Sequence, residues 1–147
     1  MNKNKEKIFA SWYNHKGKVF TNYTFQQAWN EAELVANHLC DEEKISRGDR
    51  VVICYTPGLQ FFIAFLGCLR AGVVAVLVYP PAGRHDLGKA LSKITTIIRD
   101  CDAKLVLIDS PVQLLKKFVS PTASYGQKVL NFWSTPNFLQ INKVIKV

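Results

Sequence analysis

Two short runs of β-branched and apolar residues, Val51–Tyr55 and Val73–Val78, bracket a segment of helical length, 59–71. No other feature limits the fold so strongly. Thr56-Pro57-Gly58 ends the first run, and Gly72 ends the helical segment, where glycine adopts a left-handed conformation without steric cost. Strand–helix–strand at this length predicts two parallel strands joined by a right-handed crossover. Phe61, Phe62, Phe65, Leu66 and Leu69 spread too widely around the helix for a single stripe. That spread predicts a helix covered on most sides, with Leu66 and Leu69 buried.

The same alternation extends in both directions. Before it, Phe25, Ala28, Trp29, Ala32, Val35, Ala36, Leu39 and Cys40 recur at intervals of three and four, with Asn30, Glu33, Asn37 and Asp41 opposite. Thr24 and Gln27 form a capping-box pair at the start of this helix. The helix should end before the turn Ser46-Arg47-Gly48-Asp49. After it, Asp86 caps a predicted helix with Leu87, Leu91, Ile94, Ile98 and Cys101 on one face, followed by a strand at Lys104–Ile108. Ser110-Pro111 begins a last predicted helix, with Val112, Leu115, Phe118 and Val119 on its face. Residues 1–23 read as a lead-in with one hairpin around Lys16-Gly17-Lys18, and 24–118 as an α/β unit of parallel strands alternating with helices. Residues 119–147 show no periodicity and read as a basic, divergent tail.

Charge and cysteine content exclude several classes. The chain has 147 residues, 48% hydrophobic and 20% charged, which is a globular composition. Its net charge of +8 is uneven: all 11 acidic residues lie at or before Asp109, while Lys116, Lys117, Lys128, Lys143 and Lys146 follow. With no dense basic run and no interleaved stacking aromatics, a solvated end is preferred to a nucleic-acid-binding one. Cys40, Cys54, Cys68 and Cys101 form no Cys-x-x-Cys pair. They suggest neither a zinc site nor a disulfide framework, and so point to the reducing cytoplasm. Met1–Lys7 is charged and leads into no signal core. Phe61 to Tyr79 approaches membrane-spanning length, but Arg70 at its centre would cost about 3 kcal/mol on insertion, and Val73-Val74-Ala75-Val76 is strand-like, so no membrane span is expected.

The landmarks now resemble a family. Tyr23-Thr24-Phe25 opening a helix, then Gly48-Asp49-Arg50-Val51, then Leu69-Arg70-Ala71-Gly72-Val73-Val74-Ala75-Val76 with Pro80, resembles the entry to the adenylate-forming, AMP-binding superfamily. Tyr55-Thr56-Pro57-Gly58-Leu59-Gln60-Phe61, Gly67-Cys68-Leu69 and Tyr79-Pro80-Pro81 look most like its fatty acyl-AMP ligases. Thr56 and Leu77 stand where that pattern commonly has proline. The resemblance covers roughly residues 8–115. It implies the N-terminal part of a subdomain from an enzyme that joins a fatty acid to ATP, giving acyl-AMP and pyrophosphate with Mg²⁺. Acyl carrier protein or CoA would accept the acyl group.

Such chemistry needs a Gly/Ser/Thr-rich phosphate loop with a lysine, a carboxylate for the ribose, an aromatic wall for adenine, and a catalytic lysine. The sequence contains no Gly-x-x-x-x-Gly-Lys and no run ending in Pro-Lys-Gly, and Ser134-Thr135-Pro136-Asn137 lacks the glycines and the lysine. No catalytic, cofactor-binding or metal-binding residue is therefore assigned, and the chain is expected to be inactive alone. A non-catalytic interaction or regulatory module built on the same start is the alternative, and a membrane-associated protein through 61–79 is a weaker one. His15 and His38 read as isolated residues, and His85-Asp86 as a turn and helix cap. Pro57-Gly58 reads as a structural turn, and the phenylalanines of 59–71 as core rather than an acyl tunnel.

Overall fold

The structure, a computed structural model, describes residues 4–14, 16–81, 87–108, 128–135 and 138–141. It opens with the expected hairpin, β1 (Ile8–Tyr13) antiparallel to β2 (Val19–Thr24). The Asn14 side chain holds the turn, its Oδ1 accepting from the Lys16 and Lys18 amides at 2.9 and 3.1 Å, as short polar side chains do where a chain reverses. Helix α1 (Phe25–Asn37) follows at once. Its capping box is present: Thr24 Oγ1 accepts from the Gln27 amide at 3.2 Å, and Gln27 Oε1 accepts from the Thr24 amide at 2.9 Å. A turn of π-helix, His38–Glu42, continues α1, and Lys44, at φ 57°, closes it before Ser46 as the sequence predicts.

Next come β3 (Arg50–Cys54), α2 (Leu59–Ala71), β4 (Val74–Leu77), α3 (Leu87–Asp100) and β5 (Leu105–Ile108). Strand β3 lies between β4 and β5 and is parallel to both, with Val51 opposite Ala75 on one side and Leu105 on the other. The three-strand parallel pattern is the one read from the sequence, and the 61–79 stretch resolves into the greater part of a helix and a strand. Among the described residues no helix is long and apolar enough to cross a membrane. The sheet continues through β6 (Lys128–Thr135), parallel to β5, and β7 (Phe138–Ile141), antiparallel to β6. These two strands fall where the sequence shows no periodicity. The helix expected from Ser110 and the cap at Asp86 lie outside the described residues.

Successive strand residues point to opposite faces, and this sorts the core into two layers. Val51, Ile53, Tyr55, Leu105 and Leu107 face α1 and α2, packing with Val35, Leu39, Ile63, Ala64 and Cys68. Val52, Cys54, Val106 and Ile108 face α3, packing with Ile94, Ile98 and Ala103. The crossover through α2 runs from β3 to β4, and that through α3 returns past β3 to β5. Crossovers of one hand running in opposite directions must place their helices on opposite faces. The two separate core clusters show that they do.

Helices α1 and α2 approach closely because Gly67 has no side chain. A Cβ there would fall inside the Val35 side chain and 3.2 Å from the Ala32 carbonyl oxygen. Gly72 ends α2 at φ 72°, in the left-handed region where glycine is favoured. The expectation that α2 is covered on most sides is corrected. Leu69 is 54% exposed, Phe62 is exposed and Leu66 is half-buried. Covered by α1 on one side and the sheet on another, α2 retains an outer strip that its uniformly apolar composition conceals.

Candidate functional site

In an open parallel sheet, ligands bind beyond the carboxyl ends of the strands where successive connections diverge. Here that point lies between β3 and β5, since the chain leaves β3 toward β4 and leaves β5 toward β6. The described wall of this crevice is the end of β3, with Cys54 and Tyr55 buried and Thr56 half-buried. Pro57-Gly58 then leads into α2, and Gly58 supplies no side-chain cap. The first amides of α2 therefore make a helix N-terminus of the kind that attracts anions. Thr56 through Phe61 contains no lysine, arginine or carboxylate to fix a nucleotide. Among the described residues no three His, Cys, Asp or Glu side chains cluster to hold a metal ion. The residues described here do not fit ATP with Mg²⁺.

The described residues among those singled out in the sequence do not converge. His38 is almost wholly buried, with Nε2 3.6 Å from Glu43 Oε1, inside the π-helical turn. His15, His85 and Asp86 lie outside the described residues. Phe61 and Phe65 stack at 6.5 Å and pack against the core, whereas Phe62 faces outward. None of the four cysteines is in a disulfide, and burial pushes the Cys68 thiol up to about 12. Tyr23 is likewise pushed up to about 12, first by burial and then by the adjacent Glu31 carboxylate.

A second concave feature was missed by sequence pattern. The N-terminal turn and α1 enclose a cleft of about 640 Å³ lined by Asn4, Lys5, Lys7, Phe25, Gln26 and Trp29. Periodicity assigns Phe25 and Trp29 to the buried face, but they are 49% and 58% exposed. The signal that could have found them is size. The neighbouring inward positions are Ala28, Ala32 and Ala36, and a helix seated that closely on α2 leaves no room for rings at its margin.

Geometry thus defines a doubly wound α/β layer, with helices on both faces of a mainly parallel sheet. The chain belongs to the family of AMP-binding enzymes, which it matches over residues 1–142. It superposes on a fatty acid AMP ligase from Legionella pneumophila with a TM-score of 0.60 and 35% identity, covering 72% of this chain and 17% of that one. It is 36% identical to human Disco-interacting protein 2 homolog A across 69% of this chain and 6% of that protein. It is also 29% identical to a medium-chain-fatty-acid acyl-carrier-protein ligase of Moorena producens, across 76% of this chain and 19% of the ligase. The chain spans less than a fifth of the length of each.

Proposed function

We propose that this chain forms the opening α/β layer of a fatty acyl-AMP ligase and that, by itself, it does not adenylate. The observation that carries the reading is the 35% identity to the Legionella enzyme across 72% of this chain, a stretch that spans 17% of that enzyme. In the intact assembly ATP and Mg²⁺ would be the cofactors, a fatty acid the substrate, and acyl carrier protein or CoA the acceptor. Four cysteines without a disulfide among them support a cytoplasmic setting.

The deciding assay measures pyrophosphate release by the purified chain with Mg²⁺, ATP and medium- to long-chain fatty acids. No release above background is expected, because electrostatic stabilisation at the phosphates needs donors held in fixed positions. Saturable, fatty-acid-dependent release that survives about 0.5 M salt, where exposed charges are screened, would overturn the reading. A positive arm replaces the matching segment of the Legionella enzyme with residues 8–108 of this chain. A folded chimera that forms acyl-AMP is the expected result, and a folded but inert one counts against the assignment. A second reading, a non-catalytic interaction module, draws support from the likeness to Disco-interacting protein 2 homolog A. An inert chimera, with the isolated chain stably folded, would favour it.

A further inference from the structure

Helix α1 turns its small side chains inward and its largest ones outward. Ala28, Ala32, Val35 and Ala36 are buried, whereas Phe25 and Trp29, one turn apart, stand in solvent. Adjacent exposed rings of this size mark an interaction surface. Neither ring is loose. Phe9 meets Phe25 edge-on, with ring centres 5.4 Å apart. The Arg70 guanidinium lies 4.0 Å over the Trp29 ring, and its Nη2 is fixed 2.8 Å from Glu33 Oε1. Two rings held in place by partners outside the cleft form a preorganised apolar wall.

The lining is also cationic. Lys5 and Lys7 line the cleft with Asn4 and Gln26, and no carboxylate is among the lining residues. The amides at the start of α1 are already engaged: Phe25 N donates to Lys7 O, Gln26 N donates to Lys5 O, both at 3.0 Å, and Gln27 N donates to Thr24 Oγ1. The helix end is therefore closed to an anion, which leaves the two ammonium groups and the side-chain amides as donors. The volume of about 640 Å³ lies in the range of small-molecule clefts.

We infer that this cleft binds an anionic amphiphile, a molecule with a single apolar body and one carboxylate or phosphate head. The body lies against Phe25 and Trp29, and the head meets Lys5 and Lys7. The site is separate from the carboxyl edge of the sheet, and binding there needs no nucleotide. It stands whether or not the chain belongs to a working ligase.

Calorimetric titration of the full chain tests it, using dodecanoate, dodecyl phosphate and dodecyltrimethylammonium, each below its micelle-forming concentration. Saturable binding of at least one anionic probe is expected, and the stronger of the two identifies the head group. The cationic probe of the same chain length should bind at least about tenfold more weakly. Lys5→Gln with Lys7→Gln should weaken the anionic probe by about tenfold, and these exposed changes leave the core untouched. Trp29→Ala should weaken it similarly, while Trp29→Phe, which keeps a ring, should stay within about threefold. Lys104→Gln, remote from the cleft, should change nothing. Equal binding of both charge types, or anionic binding indifferent to the double lysine change, would overturn the proposal. So would a Trp29-dependent dimer that takes up no probe, since a second copy would then be the occupant.

Discussion

Strands β3 and β4 are written in nearly the same letters, yet they live in different surroundings. Val51, Val52, Ile53 and Cys54 of β3 are wholly buried, whereas Val74 and Leu77 of β4 are about half exposed. The difference is one of order in the sheet. β3 has a parallel neighbour on each side and helices over both faces, while β4 is the edge of the described sheet. Composition identifies a strand, but the direction of the crossovers decides which strand becomes the centre of the core. Short, apolar and near-identical runs therefore carry unequal shares of the stability.

The largest test of that inequality is Ile53→Ala. The side chain is fully buried between α1, α2 and the neighbouring strands, so its loss should cost about 3–5 kcal/mol in denaturant unfolding. Leu77→Ala, on the same sheet face one strand away, should cost under about 1 kcal/mol because 49% of the residue is already in water. Equal losses at the two positions would break the comparison.

Gly67→Val probes the layer that makes β3 central. The added side chain must displace Val35 or push α1 off α2, which should cost on the order of 3 kcal/mol, the upper part of the overpacking range. Gly67→Val combined with Val35→Ala should recover part of that loss, because the two shortest contacts are with the Val35 side chain. A double variant no more stable than Gly67→Val alone would mean that the backbone, rather than Val35, sets the approach.

Much of this was legible in the sequence, for reasons that particular residues make plain. The capping box at Thr24 and Gln27, the stop at Gly72 and the three parallel strands are local signals, and local physics sets them. Burial of α2 and the outward turn of Phe25 and Trp29 were not legible. They depend on how closely two helices pack at Gly67, and no single-helix periodicity contains that distance. Strands β6 and β7 were also invisible, since their pairing with β5 and with each other comes from sheet extension rather than from an alternating pattern. No functional residue was assigned from sequence because it carries no nucleotide-binding motif, and the cleft was not legible either. Its lining joins a charged N-terminal turn to a helix some twenty residues later, and each part alone reads as ordinary surface.

Leu69→Ala is a smaller test. A covered helix would lose about 2–5 kcal/mol there, as the sequence pattern suggested. With the residue 54% exposed, the structure predicts a loss within about 0.5 kcal/mol. A value on the larger scale would return α2 to the interior and place an unseen layer against its outer strip.

The smallest expected effect lies at the entrance to β3, where that strand is tied to the turn leading into β5. Arg50 Nε donates to the Cys101 carbonyl oxygen at 2.7 Å, and Nη2 lies 2.9 Å from Asp102 Oδ2. Lys104 Nζ meets the same carboxylate oxygen at 2.8 Å. The Lys104 hydrogen bond and then its charge hold the Asp102 carboxyl below its ordinary value of 3.8, against some desolvation, with the Arg50 charge adding least. A lowered carboxyl pKa contributes stability that is present above the ordinary value and is lost as pH falls through the lowered one. The group is fully exposed, so this contribution is small and salt-sensitive. An NMR titration of the Asp102 carboxyl carbon should place its midpoint below 3.8 in the native chain. Lys104→Gln should return it most of the way, because Lys104 is the leading cause, and about 0.5 M salt should return part of it. An unmoved midpoint in Lys104→Gln would assign the anchoring of β3 to Arg50 alone. The two strands would then differ in burial without differing in how their amino ends are held.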